Sequence, residues 1–270
     1  MERRTRDGVA DAFTLVELLV VMAILAILAS LLLPALATAK ARSLQIACVG
    51  NHRQLQLGWR MYADEHDDGM PANESLFGAG PNARADYIGT ARSWVSGNAW
   101  TDTNASNIAS GVLFAYNRDA RIYKCPGDRS KVRDQGRIAR LRSVAMNHFL
   151  NHKPDPAISG FWRRVSQLPS PSGTLVFIDE HENSIENGNL WAQEAGEWNW
   201  RWYDFPTTRH SNGAALSFAD GHAGVRRWVS PQTIRVSRTA TYLNFWVGMS
   251  VPRGDRDLAW YYDVVQRPPP

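Results

Sequence analysis

The feature that most constrains this chain is an apolar run close to its N-terminus. Residues 18–33 read LLVVMAILAILASLLL, and Ser30 is the only polar residue among them. Extended to Phe13 and Ala39, the run is 27 residues long, and a membrane span needs about 20 mostly apolar residues. Three arginines within the first six residues precede it, a distribution that favours a cytoplasmic N-terminus and an exported C-terminal part.

Hydropathy alone leaves three interpretations of this run. A cleaved secretory signal peptide is one, because residues 34–39 offer A-x-A cleavage sites. An uncleaved signal anchor is the second, and a short leader ahead of a retained membrane helix is the third. Glu17 favours the third, because a carboxylate in an apolar segment costs about 2.5–3.5 kcal/mol on insertion scales and a signal peptide gains nothing from it. The N-terminal amine of a neighbouring subunit would neutralise this carboxylate within the apolar layer.

Residues 13–21, FTLVELLVV, resemble the cleavage and methylation motif of type IV prepilins. The resemblance implies that a prepilin peptidase cuts between Ala12 and Phe13 and methylates the new amine of Phe13. It also implies that Glu17, the fifth residue of the mature chain, pairs with the amine of an adjacent subunit during assembly. A proline about twenty residues into the mature helix is common in that family, and Pro34 fits. The sequence departs from the family at Ala12, where Gly is usual.

Beyond residue 35 the sequence turns polar but keeps a helical period. Apolar residues recur at spacings of three, four and seven, as in an amphipathic helix. The helix is predicted to end between Asp64 and Gly69, where a glycine and then a proline follow. Pro34 is expected to kink or locally melt it, because the ring removes one backbone hydrogen bond. The apolar stripe consists of Leu44, Cys48, Leu55, Trp59 and Tyr62.

The remaining sequence predicts a small sheet. Residues 174–179 are rich in β-branched and apolar side chains and follow a Pro/Ser turn, which predicts a strand. Residues 213–218 and 224–229 flank Asp220-Gly221, and Asp-Gly between two strand-like segments predicts a hairpin. Weaker patterns predict short strands over 122–126 and 143–149 and a short helix over 104–117.

The predicted fold class is α+β, with one long N-terminal helix packed on a small antiparallel β-sheet, as in pilins. We expect five segments along the chain. They are a leader over residues 1–12, a transmembrane and assembly helix over 13–39, an amphipathic continuation over 40–67, a periplasmic globular domain over 68–262 and a disordered tail over 263–270.

A second resemblance lies in the C-terminal part. His210 is followed by nine residues and then by Asp220-Gly221, which resembles the His-x9-Asp-Gly pattern of a large group of prepilin-type proteins. These elements carry no established chemistry in that group. Further segments that resemble it are Cys48 with NHRQL over 51–55, KCPGD around Cys125, and FIDE over 177–180.

The chain has only two cysteines, Cys48 and Cys125. In an exported domain, two cysteines predict one disulfide, which would tie the helix to the domain and stabilise it by about 2–4 kcal/mol. Two free thiols packed as small apolar groups are the alternative, because spacing alone does not show proximity.

Several C-terminal side chains offer oxygen or imidazole ligands, and the major pseudopilins that the chain resembles carry calcium in their C-terminal loops. A calcium ion here is therefore an implication of the resemblance. The EF-hand alternation of oxygen ligands is missing from the sequence, so we assign no metal and expect turn and hairpin-end roles. The side chains concerned are Asp179, Glu180, Glu182, His210, Asp220 and His222.

The sequence does not favour an enzyme. A nucleophile elbow, HExxH, a P-loop and GxGxxG are all missing from it. His210 and Asp220 could act as a base and its orienting carboxylate, but an activated nucleophile is not evident. The eleven tryptophans either fill a core or form a carbohydrate-stacking surface. A formal net charge of +4 over 270 residues is too dilute to indicate nucleic-acid binding.

The function predicted from these features is that of a pseudopilin of type II secretion, anchored in the inner membrane and then assembled into a periplasmic filament. Its expected partners are the prepilin peptidase, other pseudopilins and the inner-membrane secretion platform, with self-association through the N-terminal helix. Two alternatives stay open: a minor pilin of a type IV pilus, and an exported sugar-binding domain.

Overall fold

The computed structural model describes residues 14–76, 88–151, 161–191, 200–241 and 248–266. The chain divides into two units, residues 1–42 and residues 43–270, and each is described by itself. Ala12, Phe13 and residues 267–270 lie outside the described residues.

The described part of the first unit is one helical segment. Helix α1, Leu15–Glu65, begins there and continues through Pro34, where Thr38 Oγ1 donates to the Pro34 carbonyl at 3.0 Å. Every described side chain up to Ser43 is exposed, and α1 is long and apolar enough to cross a membrane. An exposed segment that is apolar all round, as this part of α1 is, is typical of a helix surrounded by lipid or by other helices.

The second unit is built on a five-stranded sheet with the order β5-β3-β4-β7-β8. Strands β3, β4, β7 and β8 pair antiparallel, whereas β5 pairs with β3 in parallel. The predicted α+β class is confirmed. The sheet is mixed and not purely antiparallel, because the edge strand β5 runs parallel to β3. The five strands are β3 (Val144–Asn147), β4 (Leu175–Asp179), β5 (Asn189–Leu190), β7 (Gly213–Phe218) and β8 (Ala223–Arg227).

Short elements surround this sheet. Helices α2 and α3 lie in the region predicted as a single short helix, and two pairs of two-residue strands form separate ribbons. These elements are β1 (Ser75–Leu76), β2 (Ile88–Gly89), α2 (Ser106–Ser110), α3 (Phe114–Asn117), β6 (Arg201–Trp202), α4 (Pro231–Thr239), β9 (Met249–Ser250) and α5 (Arg256–Val265), with 3-10 helices Ala120–Tyr123, Val165–Gln167 and Pro171–Gly173.

The predicted hairpin is confirmed as β7 and β8. The Phe218 N–H donates to the His222 carbonyl at 2.9 Å, and Gly221 takes a φ of +103° in the turn, a conformation that favours glycine. The strand predicted over 122–126 is wrong. Asp119 accepts a hydrogen bond from the Arg121 N–H and caps the 3-10 helix Ala120–Tyr123 instead.

Both faces of β7 are covered, which explains why all six of its residues are buried. Ala214, Leu216 and Phe218 belong to the apolar cluster that contains side chains of α4 and α5. On the opposite face, Ser217 Oγ donates to Gln56 Oε1 of α1 at 3.1 Å. This alternation follows the two-residue period of a strand.

The distal part of α1 packs against the sheet within the second unit. Leu55 and Trp59, both fully buried, share an apolar cluster with Val176 and Phe177 of β4. These two consecutive strand residues join one cluster because the register with β7 shifts between Leu175 and Phe177, as a bulge allows. One face of residues 43–65 therefore contributes to the core of the globular unit.

Candidate functional site

The N-terminal end of α1 places Glu17 in a capping box. Glu17 Oε2 accepts hydrogen bonds from the Thr14 N–H at 2.8 Å and from Thr14 Oγ1 at 2.7 Å. The Glu17 N–H donates to Thr14 Oγ1 at 3.2 Å. This is the reciprocal arrangement that a Thr-x-x-Glu sequence forms at a helix N-terminus. The sequence contained this signal, but only the assembly role of Glu17 was inferred from it.

The capping box affects what the carboxylate does in an apolar layer. It satisfies two backbone N–H groups, those of Thr14 and Glu17, that a helix start leaves without intrahelical partners. Glu17 is thus already hydrogen-bonded within its own chain and stays exposed, so its charge is available to a second partner. Phe13, whose amine is the predicted partner group, lies outside the described residues.

The second unit contains a buried cluster contributed by four separate segments. Cys48 lies on α1, Cys125 follows the 3-10 helix Ala120–Tyr123, Asp179 ends β4, and His210 lies in the turn before β7. One ligand atom from each lies within 4.8 Å of the other three. Cys125 Sγ is 3.2 Å from His210 Nε2, which in turn is 3.9 Å from Asp179 Oδ2. We call these four residues the tetrad.

The tetrad brings together residues that the sequence had singled out separately. Cys48 and Cys125 are neighbours, as a disulfide would require, but both are free thiols in this structure. The disulfide itself stays a prediction. His210 joins them, whereas Asp220 and Gly221 lie beyond the other end of β7. His210 and Asp220 therefore do not form a base with its orienting carboxylate.

Neighbouring groups hold the tetrad in place. Ser143 Oγ accepts from the Cys125 N–H and donates to Asp179 Oδ1, both at 2.8 Å. Arg209 Nη1 donates to the same Asp179 oxygen at 2.9 Å. The other oxygen, Asp179 Oδ2, is buried without a hydrogen-bond partner among the described residues.

Burial and hydrogen bonding shift the pKa values in the tetrad. The hydrogen bond from Cys48 lowers the pKa of Cys125 to about 4, and His210 and Arg209 act in the same direction. The same Cys48–Cys125 hydrogen bond and burial raise the pKa of Cys48, and burial raises that of Asp179. Cys125 is therefore the thiol that ionises first, and a thiolate is both the nucleophilic and the metal-binding form of cysteine.

His52, one helical turn after Cys48, adds a second buried imidazole beside the tetrad. Its burial and the nearby His210 lower the pKa of His52 to about 3, so the ring is neutral. Neither ring nitrogen has a hydrogen-bond partner among the described residues. The predicted helical stripe did not include His52, because a histidine on an amphipathic helix is usually assigned to the polar face.

A second cluster consists of three buried carboxylates, Glu180, Glu186 and Asp204, with one oxygen of each within 4.8 Å of the others. Burial raises the pKa of all three, and repulsion from Asp204 raises those of Glu180 and Glu186 further. The guanidinium of Arg142, itself fully buried, acts against this shift on both glutamates. Of the three, only Glu180 was among the oxygen ligands considered from the sequence.

The remaining residues considered as ligands take structural roles. Asp220 Oδ1 accepts from the His222 N–H at 3.1 Å and contacts His222 Nδ1 at 2.6 Å, in the β7–β8 turn. Glu182 Oε2 accepts from Arg209 Nη2 at 2.8 Å. Arg209 and Glu182 line an open surface cavity of about 470 Å³, so Arg209 separates the tetrad from this cavity.

The chain was compared with known families and structures. Residues 10–33 match a family model described as the prokaryotic N-terminal methylation motif. The match covers the predicted cleavage position, the capping box and the apolar run, and it stops before the globular unit, so the His-x9-Asp-Gly resemblance remains a prediction. No curated protein and no solved structure matches the chain.

Proposed function

We propose that this chain, which carries the N-terminal segment of type IV prepilin-like proteins, is a pilin-like filament subunit. In this proposal the prepilin peptidase cuts between Ala12 and Phe13 and methylates the Phe13 amine, and the N-terminal helix then assembles with those of other subunits. The match of residues 10–33 to the methylation motif carries the proposal.

The exposed apolar surface of α1 supports an assembly role. Leu15 is 74% exposed and Leu31 is 69% exposed, and neither can remain in water at low free energy. Lipid and a bundle of similar helices are comparably apolar. The free energy of the apolar helix surface therefore changes little when the helix moves laterally from membrane to filament. Helix packing then decides the assembly, and a specific polar pair can fix its register.

Glu17 is the residue that we assign to this pair. In the membrane its carboxylate is held by Thr14. In the filament it gains the methylated amine of Phe13 of an adjacent subunit, which is a charged partner in an apolar layer. The capping box presents the carboxylate at the helix N-terminus, where such an amine would also lie.

The more specific proposal is a pseudopilin of type II secretion. The N-terminus is then cytoplasmic and the globular unit periplasmic, and the partners are other pseudopilins and the inner-membrane platform. A minor pilin of a type IV pilus has the same N-terminal chemistry. The assembly machinery that the protein requires in cells distinguishes the two.

Five buried tryptophans fill the core and are not available for carbohydrate stacking. Five of the eleven are fully or nearly fully buried within the core and do not form a stacking platform. In addition, Trp94, Trp202 and Trp228 donate their ring N–H groups to buried acceptors. The five are Trp59, Trp94, Trp100, Trp202 and Trp228.

Mass spectrometry of the mature N-terminus tests this function directly. We expect a chain that begins with N-methylated Phe13. A mature chain that begins at Thr38 or later would show secretory cleavage and overturn the proposal. An assembly assay adds a second test: Glu17→Ala should block incorporation and leave cleavage intact, whereas the control Asp64→Ala, an exposed carboxylate near the other end of α1, should assemble normally.

A further inference from the structure

The tetrad of Cys48, Cys125, Asp179 and His210 lies outside residues 10–33, the segment to which the proposed filament function is assigned. Its members are between 0% and 4% exposed. Because they come from four segments that are far apart in sequence, their convergence is a product of the fold and not of local chain geometry. Two sulfurs, one imidazole nitrogen and one carboxylate oxygen thus face each other in the interior.

The spacing of the donor atoms fits tetrahedral coordination. With metal–ligand bonds of about 2.0–2.3 Å, the donors of a tetrahedral zinc site lie about 3.3–3.8 Å apart. The Cys125 Sγ–His210 Nε2 distance is 3.2 Å and the His210 Nε2–Asp179 Oδ2 distance is 3.9 Å. The remaining donor pairs, including those to Cys48, lie within 4.8 Å, so the donors would close by up to about 1 Å to reach a common centre.

The orientation of Asp179 is an independent indication of a ligand. Ser143 and Arg209 both donate to Oδ1, which leaves Oδ2 3.9 Å from His210 Nε2. Oδ2 is buried and has no hydrogen-bond partner in the described part of the chain, and leaving a buried carboxylate oxygen unpaired is unfavourable. A cation between the four donors would satisfy it, and Ser143 and Arg209 would then be the outer groups that orient a metal ligand.

Charge also favours a divalent cation. Two thiolates and the Asp179 carboxylate carry three negative charges. The Arg209 guanidinium, which contacts this carboxylate at 2.9 Å, supplies one positive charge, and a divalent cation supplies the other two. The cation thus offsets two of the three negative charges, and Arg209, which also contacts Glu182 at 2.8 Å and Asp128 at 3.6 Å, offsets part of the third, which lowers the cost of burying the group.

From this geometry we propose that the tetrad is a closed structural site for zinc or a similar thiophilic divalent cation. Two thiolates select such a metal over calcium, which takes oxygen ligands. A Cys48–Cys125 disulfide is the competing state. It would use both sulfurs and leave Asp179 Oδ2 without the partner that the cation provides.

The bound cation would cross-link α1 to the sheet. It links the helix residue Cys48 to β4, to the turn before β7 and to the Cys125 segment, and its four protein ligands leave no open position for substrate. Binding requires both cysteines in the thiolate form. The site therefore acts on the stability of the globular unit and does not catalyse a reaction.

Metal analysis of the full chain in mild detergent tests the proposal. Protein equilibrated with zinc under a non-chelating reductant and then dialysed should retain about one zinc ion per chain, and cobalt in its place should give a thiolate-to-cobalt charge-transfer band. Chelator should lower the melting temperature. Cys125→Ser and His210→Ala should lose the metal and the band, whereas the matched control His222→Ala, an exposed histidine in the β7–β8 turn, should keep both.

Two results would overturn the site. One is a wild-type chain that binds neither zinc nor cobalt although thiol titration shows both cysteines reduced. The other is a native chain in which titration finds a disulfide that re-forms in the presence of zinc. If a cysteine or histidine variant fails to fold, the cobalt spectrum of the wild-type chain still decides. All these readouts are independent of the mature N-terminus, so they stand or fail separately from the filament function.

Discussion

Replacing Leu55 by alanine tests whether the distal part of α1 is core of the globular unit. Leu55 is fully buried and packs with Trp59, Val176 and Phe177. Losing three carbon atoms removes about 2.4 kcal/mol of transfer free energy at about 0.8 kcal/mol per group. The β4 backbone is paired on both sides, so the site cannot collapse fully, and a cavity term brings the expected loss to about 3–5 kcal/mol.

Leu57 provides the matched control on the same helix. It is 62% exposed, so Leu57→Ala should change the free energy of unfolding by less than about 0.5 kcal/mol. Denaturant unfolding of the full chain in detergent, followed by tryptophan fluorescence, measures both variants, and Trp59 lies one turn from the substitution. Equal stability of Leu55→Ala and Leu57→Ala would refute the packing of α1 on the sheet.

Three further predictions concern the capping box, the buried carboxylates and the hairpin. Glu17→Gln keeps a side chain that can complete the capping box but removes the charge, so we expect normal cleavage and failed assembly. Normal assembly of this variant would mean that capping, and not pairing with an amine, is what Glu17 contributes. Burial raises the pKa of Glu186, so the folded state binds more protons than the unfolded state, and stability should fall as pH rises above the ordinary glutamate range. Glu186→Gln should make the free energy of unfolding, measured with chelator between about pH 5 and pH 8, fall less steeply with pH. An unchanged slope would contradict the raised pKa of Glu186. Gly221→Ala places a side chain at a φ of +103° with nothing within 4 Å, so strain alone should reduce stability by about 1–3 kcal/mol, which thermal unfolding against Gly224→Ala would detect.

The elements that could be predicted from the sequence are those whose signals lie within a few neighbouring residues. The β7–β8 hairpin follows from Asp220-Gly221, and β4 follows from an apolar β-branched run. The helices α4 and α5 also had local signals that we did not use: Ser230 and Asp255 cap them, and Pro231 occupies the first turn of α4, as is common. The pattern over residues 122–126 predicted a strand because Ile122 and Tyr123 are apolar. Both are buried, but they belong to the 3-10 helix Ala120–Tyr123 and not to the sheet.

The candidate site was predictable only in part. Two cysteines in a chain predicted to be exported favoured a Cys48–Cys125 disulfide, but their spacing did not show whether they would meet. The approach of Asp179 and His210 depends on β4 and β7 being neighbours in the sheet, which short motifs do not encode. The burial of His52 and Gln56 on α1 could not be predicted from the sequence either. Polar residues on a helix are expected to face water unless the surface that the helix packs against is known.

Because six side chains of α1 from Cys48 to Ala63, together with Gly58, are interior, the part of the chain after residue 68 cannot be exchanged between pilin-like proteins without this part of the helix. A chimera in which a foreign helix is joined at residue 68 would lose the α1 side chains that pack in the core. A junction near residue 43 would keep them. The segment after residue 43 therefore has to be kept together with the domain whose core it completes.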